Sequence, residues 1–186
     1  MSTNKIMDVE HARNQEYVHR VNVEKGWFDK PVSFLEAMAL LVTEITEADD
    51  SVEAEGLIGG REARHHTRSE LADVYIRLVD DASRFSLNLG VIVDVYQFSY
   101  EPLPFRTFHD ATRRLVKRVV DIIEAYRVEG LDDERKPGLE ATRAFAYFYL
   151  QLRDTCDYFK VDLMQAFNDK MAVNEKREYR HGGKHA

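Results

Sequence analysis

Cysteine is almost missing from this chain: Cys156 stands alone, so no intramolecular disulfide can form and a reducing compartment is expected. It sits in Leu152-Arg-Asp-Thr-Cys-Asp-Tyr-Phe159, a helical pattern that gives the thiol a packing role in place of a nucleophile's or a ligand's. Breakers are scarce too. Four Pro and nine Gly leave long stretches without either, which argues against a many-stranded sheet and for helices. No segment of ~18 apolar residues exists to cross a membrane, and the N-terminus has no apolar signal-peptide run, so a cytoplasmic protein is expected. Net charge is −7, and a general nucleic-acid surface would need the basic stripe that is absent. Only Lys170 to His185 is locally basic. A glycine-rich loop followed by Lys-Ser/Thr does not occur, which excludes a P-loop ATPase, and no serine sits in a nucleophile-elbow context.

What is present suits helices. Hydrophobic residues make up 44% and charged residues 32% of 186, enough for a packed core beneath long polar faces. A first helix is expected over about Met7 to Glu24, then a turn through Gly26-Trp-Phe-Asp-Lys-Pro31. The second helix, started at Pro31 and Ser33, carries Phe34, Leu35, Met38, Leu41, Val42 and Ile45 and fades after Ser51. Gly56 to Thr67, with His65-His66, reads as a polar loop. A third helix is expected to start at Ser69 as its cap and to bury Leu71, Val74, Leu78 and Ala82. Further helices fit Phe105 to Val128, Leu139 to Phe159 and Leu163 to Glu178. His11 and His19 read as surface residues of the first helix.

A repeat underlies this order. Shifting the sequence by 74 positions without a gap aligns Phe34 with Phe108, Leu41-Val42 with Leu115-Val116, and Glu55-Gly-Leu57 with Glu129-Gly-Leu131. It also aligns Tyr75 with Tyr149, Asp80 with Asp154 and Phe85 with Phe159, giving 14 identities over the 56 positions from Phe34 to Leu89. Unrelated helical segments of ordinary composition would share about four. Each half, 34–89 and 108–163, then reads as a helical hairpin that cannot bury its apolar face alone. Packing the two together gives a four-helix core with terminal helices added, a single all-α domain over 1–186.

Four acids stand out. Glu44 and Glu47 lie three apart on the second helix, and Glu70 and Asp73 three apart on the third, so each pair shares a helix face. Two facing pairs form an oxygen-rich cluster suited to Mg²⁺ or Mn²⁺. Without a cation or protons such a cluster repels itself, although a solvated helix face can also carry Glu-x-x-Glu.

Glu44-x-x-Glu47 followed by Glu70-x-x-Asp73 resembles the metal-binding signature of the all-α nucleoside-triphosphate pyrophosphohydrolases, above all MazG-like proteins of phage and bacterial type. Gly26-Trp27 is similar to the family's opening segment. Lys170-x-x-x-Asn174-x-x-Arg177, then Tyr179-Arg-His-Gly-Gly-Lys184, is similar to its C-terminal signature. Two departures stand against the pattern: Thr43 occupies a position where the family often has a further Glu, and a second hairpin separates the acids from the basic tail. The repeat accounts for the second departure. Shifted by 74, Glu44 becomes Arg118, Glu70 becomes Ala144 and Asp73 becomes Tyr147, with Asp121 alone matching Glu47 as an acid. Lys170 and Asn174 correspond to Tyr96 and Tyr100. One composite site is therefore expected, acids from the first half and bases from the tail, as in an ancestral homodimer fused into one chain. That leaves a monomeric pseudo-dimer or a further homodimer open.

The resemblance implies Mg²⁺-dependent cleavage of a nucleoside or deoxynucleoside triphosphate to monophosphate and pyrophosphate. Glu44, Glu47, Glu70 and Asp73 would hold the metal, Glu47, with Glu44 beside it, would take a proton from water, and Lys170, Asn174, Arg177 and Trp27 would bind substrate. Arg180, His181 and Lys184 are further candidates for phosphate contact. Two alternatives remain: a non-catalytic helical interaction module, and an HD-type phosphohydrolase suggested by His109-Asp110.

Overall fold

The computed structural model describes residues 3–27, 32–130 and 137–179. Seven α-helices account for most of them: α1 (Thr3–Glu24), α2 (Phe34–Glu55), α3 (His65–Arg84), α4 (Leu89–Tyr96), α5 (Phe108–Val128), α6 (Leu139–Tyr158) and α7 (Leu163–Asn174). No strand occurs among the described residues, only an isolated bridge between Ile58 and Glu62. None of the described helices is long and apolar enough to cross a membrane.

Local signals set the helix ends. Ser33 caps α2, its hydroxyl accepting from Glu36 N at 3.2 Å, and Thr107 caps α5 by accepting from Asp110 N at 3.0 Å. Gly56 closes α2 at φ +68°, a left-handed conformation that a side chain would strain. α3 begins at His65, a turn before the expected Ser69, with Arg64 as its N-cap residue. Ser69 is thus an interior residue, and His65-His66 are helical. Other boundaries shift as well: α1 starts at Thr3, α2 continues to Glu55, α4 is an additional helix, α5 starts at Phe108 and not Phe105, and α7 stops at Asn174 short of Glu178. The turn through Pro31 falls partly outside the described residues.

The elements recur at the 74-residue offset: α2 and α5, α3 and α6, and α4 and α7 begin at paired positions. Packing crosses between the halves. α2 pairs with α3 and α5 with α6, while α2 also lies on α5; α7 packs on α3 and α4 on α6. The short helix of each half therefore covers the hairpin of the other. Tyr75, Phe34, Phe145, Phe148, Phe159 and Phe167 fill the core between them, all essentially without solvent exposure. α1 closes the bundle against α3 and α4. Its Gln15 accepts from Leu89 N at 2.8 Å and donates to Leu87 O at 2.9 Å, which fixes the start of α4. His11, expected at the surface, is 2% exposed: its Nδ1 lies 2.8 Å from Tyr75 Oη, and burial lowers its pKa to about 4.

Candidate functional site

Amphipathic packing of α2 on α3 turns one polar stripe of each helix toward the other. Glu44 and Glu47 of α2 meet Glu70 of α3, with carboxylate oxygens of all three within 4.8 Å of one another. Glu70 is largely buried and Glu47 exposed. Asp73, one turn further along α3, pairs with Lys170 from α7, and Lys170 also donates to Ser69 Oγ at 3.0 Å. The Ser69 hydroxyl does not cap α3 but holds the α7 lysine.

A cavity of about 390 Å³ opens over this cluster. Its walls include every residue expected to form the site: Glu44, Glu47, Glu70, Asp73, Lys170, Asn174, Arg177 and Trp27. The acids come from α2 and α3, Lys170 and Asn174 from α7, Arg177 from the segment after it, and Trp27 from the turn after α1. Arg180, His181 and Lys184 lie outside the described residues. Gly26 adopts φ +78°, a left-handed conformation that favours glycine, and the Tyr179 ring lies directly over it. Lys25 donates to the carbonyls of Glu175 and Arg177, both at 2.7 Å, and ties the C-terminal segment to the same turn.

The sequence reading missed four polar wall residues: Asn22, Lys25, Arg77 and Asp80. Arg77 donates to Glu44 Oε1 at 3.0 Å from a largely buried position. Burial opposes its charge, but Glu44 outweighs burial and holds its pKa up. Asp80 is 1% exposed; Arg84 Nε donates to its Oδ2 at 3.1 Å. A signal for these residues was available: His66, Glu70, Asp73, Arg77, Asp80 and Arg84 follow alternating spacings of four and three, a continuous polar stripe on a helix otherwise packed with apolar residues.

Electrostatics mark the cluster as a place where negative charge is crowded. Burial pushes Asp73 up to about 6, with Lys170 pulling down and Glu44 and Glu70 pushing up. Burial, then Glu44 and Glu70, also raises Glu47. Arg77 takes Glu44, Lys170 takes Asp73, and the His66 imidazole stands 3.0 Å from Glu70. Glu47 has no ion-pair partner among the described residues.

The donor set fits a hard divalent cation. Oxygens on opposite sides of Mg²⁺ stand about 4.2 Å apart, and the three glutamates bring theirs to within 4.8 Å, a difference that small rotations of long side chains cover. Carboxylate oxygen is the ligand type that Mg²⁺ and Mn²⁺ prefer.

The positions 74 residues on are built differently. Arg118, in the place of Glu44, donates to Glu101 O at 2.6 Å, and its Cζ lies 5.5 Å from the centroids of both the Tyr100 and Tyr147 rings. Tyr147, in the place of Asp73, donates to Ser99 O at 2.7 Å, and Tyr100 donates to Asp154 at 3.0 Å. The second location is thus filled by the Arg118 guanidinium of α5, the Tyr147 ring of α6 and Tyr100 from the segment after α4, whose Ser99 and Glu101 carbonyls accept from Tyr147 and Arg118. His109, the residue behind the HD reading, pairs with Asp49 at 2.6 Å on an exposed surface and joins no cluster of three metal-ligating side chains among the described residues.

The chain matches no protein-family model, no curated protein and no solved structure at a significant level.

Proposed function

We propose that this chain is a metal-dependent nucleoside-triphosphate pyrophosphohydrolase of MazG-like type, with one composite site per chain. The observation that carries this reading is the shared cavity: four acids from one hairpin and Lys170, Asn174 and Arg177 from the far end of the chain line a single space of about 390 Å³. Acids that hold a cation, next to bases that offset phosphate charge, suit an anhydride of phosphoric acid better than a neutral substrate. Mg²⁺ held by Glu44, Glu47 and Glu70, with Asp73 beside them, would neutralise phosphate oxygens and make a bound water more acidic. Glu47, exposed and without an ion pair among the described residues, is the carboxylate best able to accept a proton from that water. Lys170 and Arg177 bind phosphate oxygens, Asn174 offers a hydrogen bond, and half-buried Trp27 gives the base a face to stack on. The paired starts of α2 and α5, α3 and α6, and α4 and α7 support an origin by duplication of a hairpin unit.

One observation favours a second reading. Arg77, Lys170 and His66 already attend three of the four acids, so the cluster can persist as a structural network in a non-catalytic helical module.

An assay with Mg²⁺ or Mn²⁺ across the common NTPs and dNTPs decides between them. The enzyme reading expects monophosphate and pyrophosphate as products, and expects Glu47→Gln and Asp73→Asn to lower turnover at least about 100-fold while the helical circular-dichroism spectrum is kept. Wild-type protein inert on all substrates, with no thermal shift on adding Mg²⁺, supports the structural module instead.

A further inference from the structure

Of the four acids over the carboxylate cavity, only three gather. Oxygens of Glu44, Glu47 and Glu70 lie within 4.8 Å of one another, while Asp73 stands outside that group and is paired with Lys170. The lysine is firmly placed. α7 packs on α3, and Phe167 and Met171, on either side of Lys170 in the chain, are each 1% exposed. An ammonium carries three donors, and two of them are engaged on α3, one by Asp73 and one by Ser69 Oγ at 3.0 Å. The Lys170 side chain is 13% exposed and that of Asp73 18%, so the pair sits largely out of water, where salt screens it poorly. Its charge reaches further than Asp73. Burial, Glu44 and Glu70 all raise the pKa of Glu47, and Lys170 is the first of the cations that oppose them.

A second metal ion would have few ligands left. Two-ion sites hold their metals about 4 Å apart. Beyond the three glutamates the cavity wall offers Asp73 and Asp80, and Asp80 is 1% exposed and accepts from Arg84. Asp73 is therefore the carboxylate such an ion would need, and a fixed positive charge already occupies it. The duplicated half supplies an internal control. There the counterparts of Glu44, Glu70 and Asp73 are Arg118, Ala144 and Tyr147, and the counterpart of Lys170 is Tyr96. Acids and ammonium are present together in one location and absent together from the other.

We infer that Lys170 is a built-in second cation: the cluster takes one divalent ion, on Glu44, Glu47 and Glu70, and the ammonium holds the Asp73 side against another. The inference rests on the metal-binding part of the reading above and not on the reaction. Any further metal needed at the phosphates then has to arrive bound to the substrate.

Titration of the full chain with Mn²⁺ tests this without substrate, since the electron paramagnetic resonance signal of the free ion counts the ions bound per chain. Wild type should bind one. Lys170→Met and the milder Lys170→Gln, each checked for an unchanged helical circular-dichroism spectrum, should bind two, with the spin coupling of neighbouring Mn²⁺ ions. Lys170→Arg, which keeps the charge, should stay at one. Adding Asp73→Asn to Lys170→Met should return the count to one, because the second ion loses its carboxylate. Two ions on wild type, or one ion on both neutral variants, overturns the inference and leaves the glutamate site standing. Binding by none of these proteins removes the metal reading, and the inference with it.

Discussion

Lys170 carries a double duty in the carboxylate cavity, since it compensates a mostly buried Asp73 and presents positive charge to whatever enters. Lys170→Met should leave Asp73 desolvated and unpaired, lowering stability by about 2 kcal/mol on urea denaturation. Adding Asp73→Asn should recover part of that loss, because the uncompensated charge disappears, and the double-mutant cycle measures the coupling. His11 makes a pH prediction. Its native pKa near 4 lies below the ordinary 6.5, so the folded state binds fewer protons than the unfolded one between these values. Stability from this group is therefore present above pH 6.5 and lost as pH falls toward 4, by roughly 3 kcal/mol at most. Raised Asp73 acts in the opposite sense between its ordinary 3.8 and about 6, so the wild-type slope is a sum. The measurable quantity is the difference: His11→Gln should lose stability less steeply than wild type between pH 6.5 and 4. Residue type alone could not reveal a buried His11, because a histidine bonded to Tyr75 and a solvated one read identically in sequence. The four acids were legible because their three-residue spacing lies inside strong apolar stripes.

At the scale of the element, Ser33 and Thr107 occupy paired positions and make the same bond to the backbone N–H three residues on. Ser33→Ala and Thr107→Ala should each cost about 1 kcal/mol. Thermal melts of the two variants should fall by similar amounts; a large loss in one alone would show that tertiary packing, and not the cap, sets that helix start. Ser33 was readable as a start because it precedes a long apolar stripe. Ser69 misled for the converse reason: serine followed by glutamate imitates a cap, while the real start at Arg64 has no side-chain cap bond to announce it. α4 escaped notice because Leu89–Tyr96 is short and nearly all apolar, a pattern with too little polar contrast to show a helical period. Its anchor, Gln15, lies more than seventy residues away in the chain, and no local window contains that bond.

At the scale of the molecule, the site is one-sided. Mg²⁺ should raise the melting temperature, by an amount corresponding to about 2.7 kcal/mol at a hundredfold excess over its dissociation constant. Glu47→Gln should remove that response, whereas Arg118→Lys, in the filled counterpart location, should leave it intact. Equal loss in both variants would mean that the response is general ion stabilisation and not occupation of the carboxylate cluster.

The crossing of α4 and α7, each laid on the hairpin of the other half, has a consequence for how the chain can be divided. A break in the exposed connection between Glu101 and Thr107 yields two pieces, neither of which contains the helix that covers its own hairpin. The N-terminal piece holds every acid of the cluster but lacks Lys170, and the C-terminal piece holds Lys170 without the acids. Expressed apart, each should expose its apolar groove and stay poorly soluble; mixed, they should exchange helices and rebuild the cavity between them. The fold thus behaves as a two-component lock, in which complementation of fragments, read as recovered helicity and recovered Mg²⁺ response together, reports physical reunion of the halves.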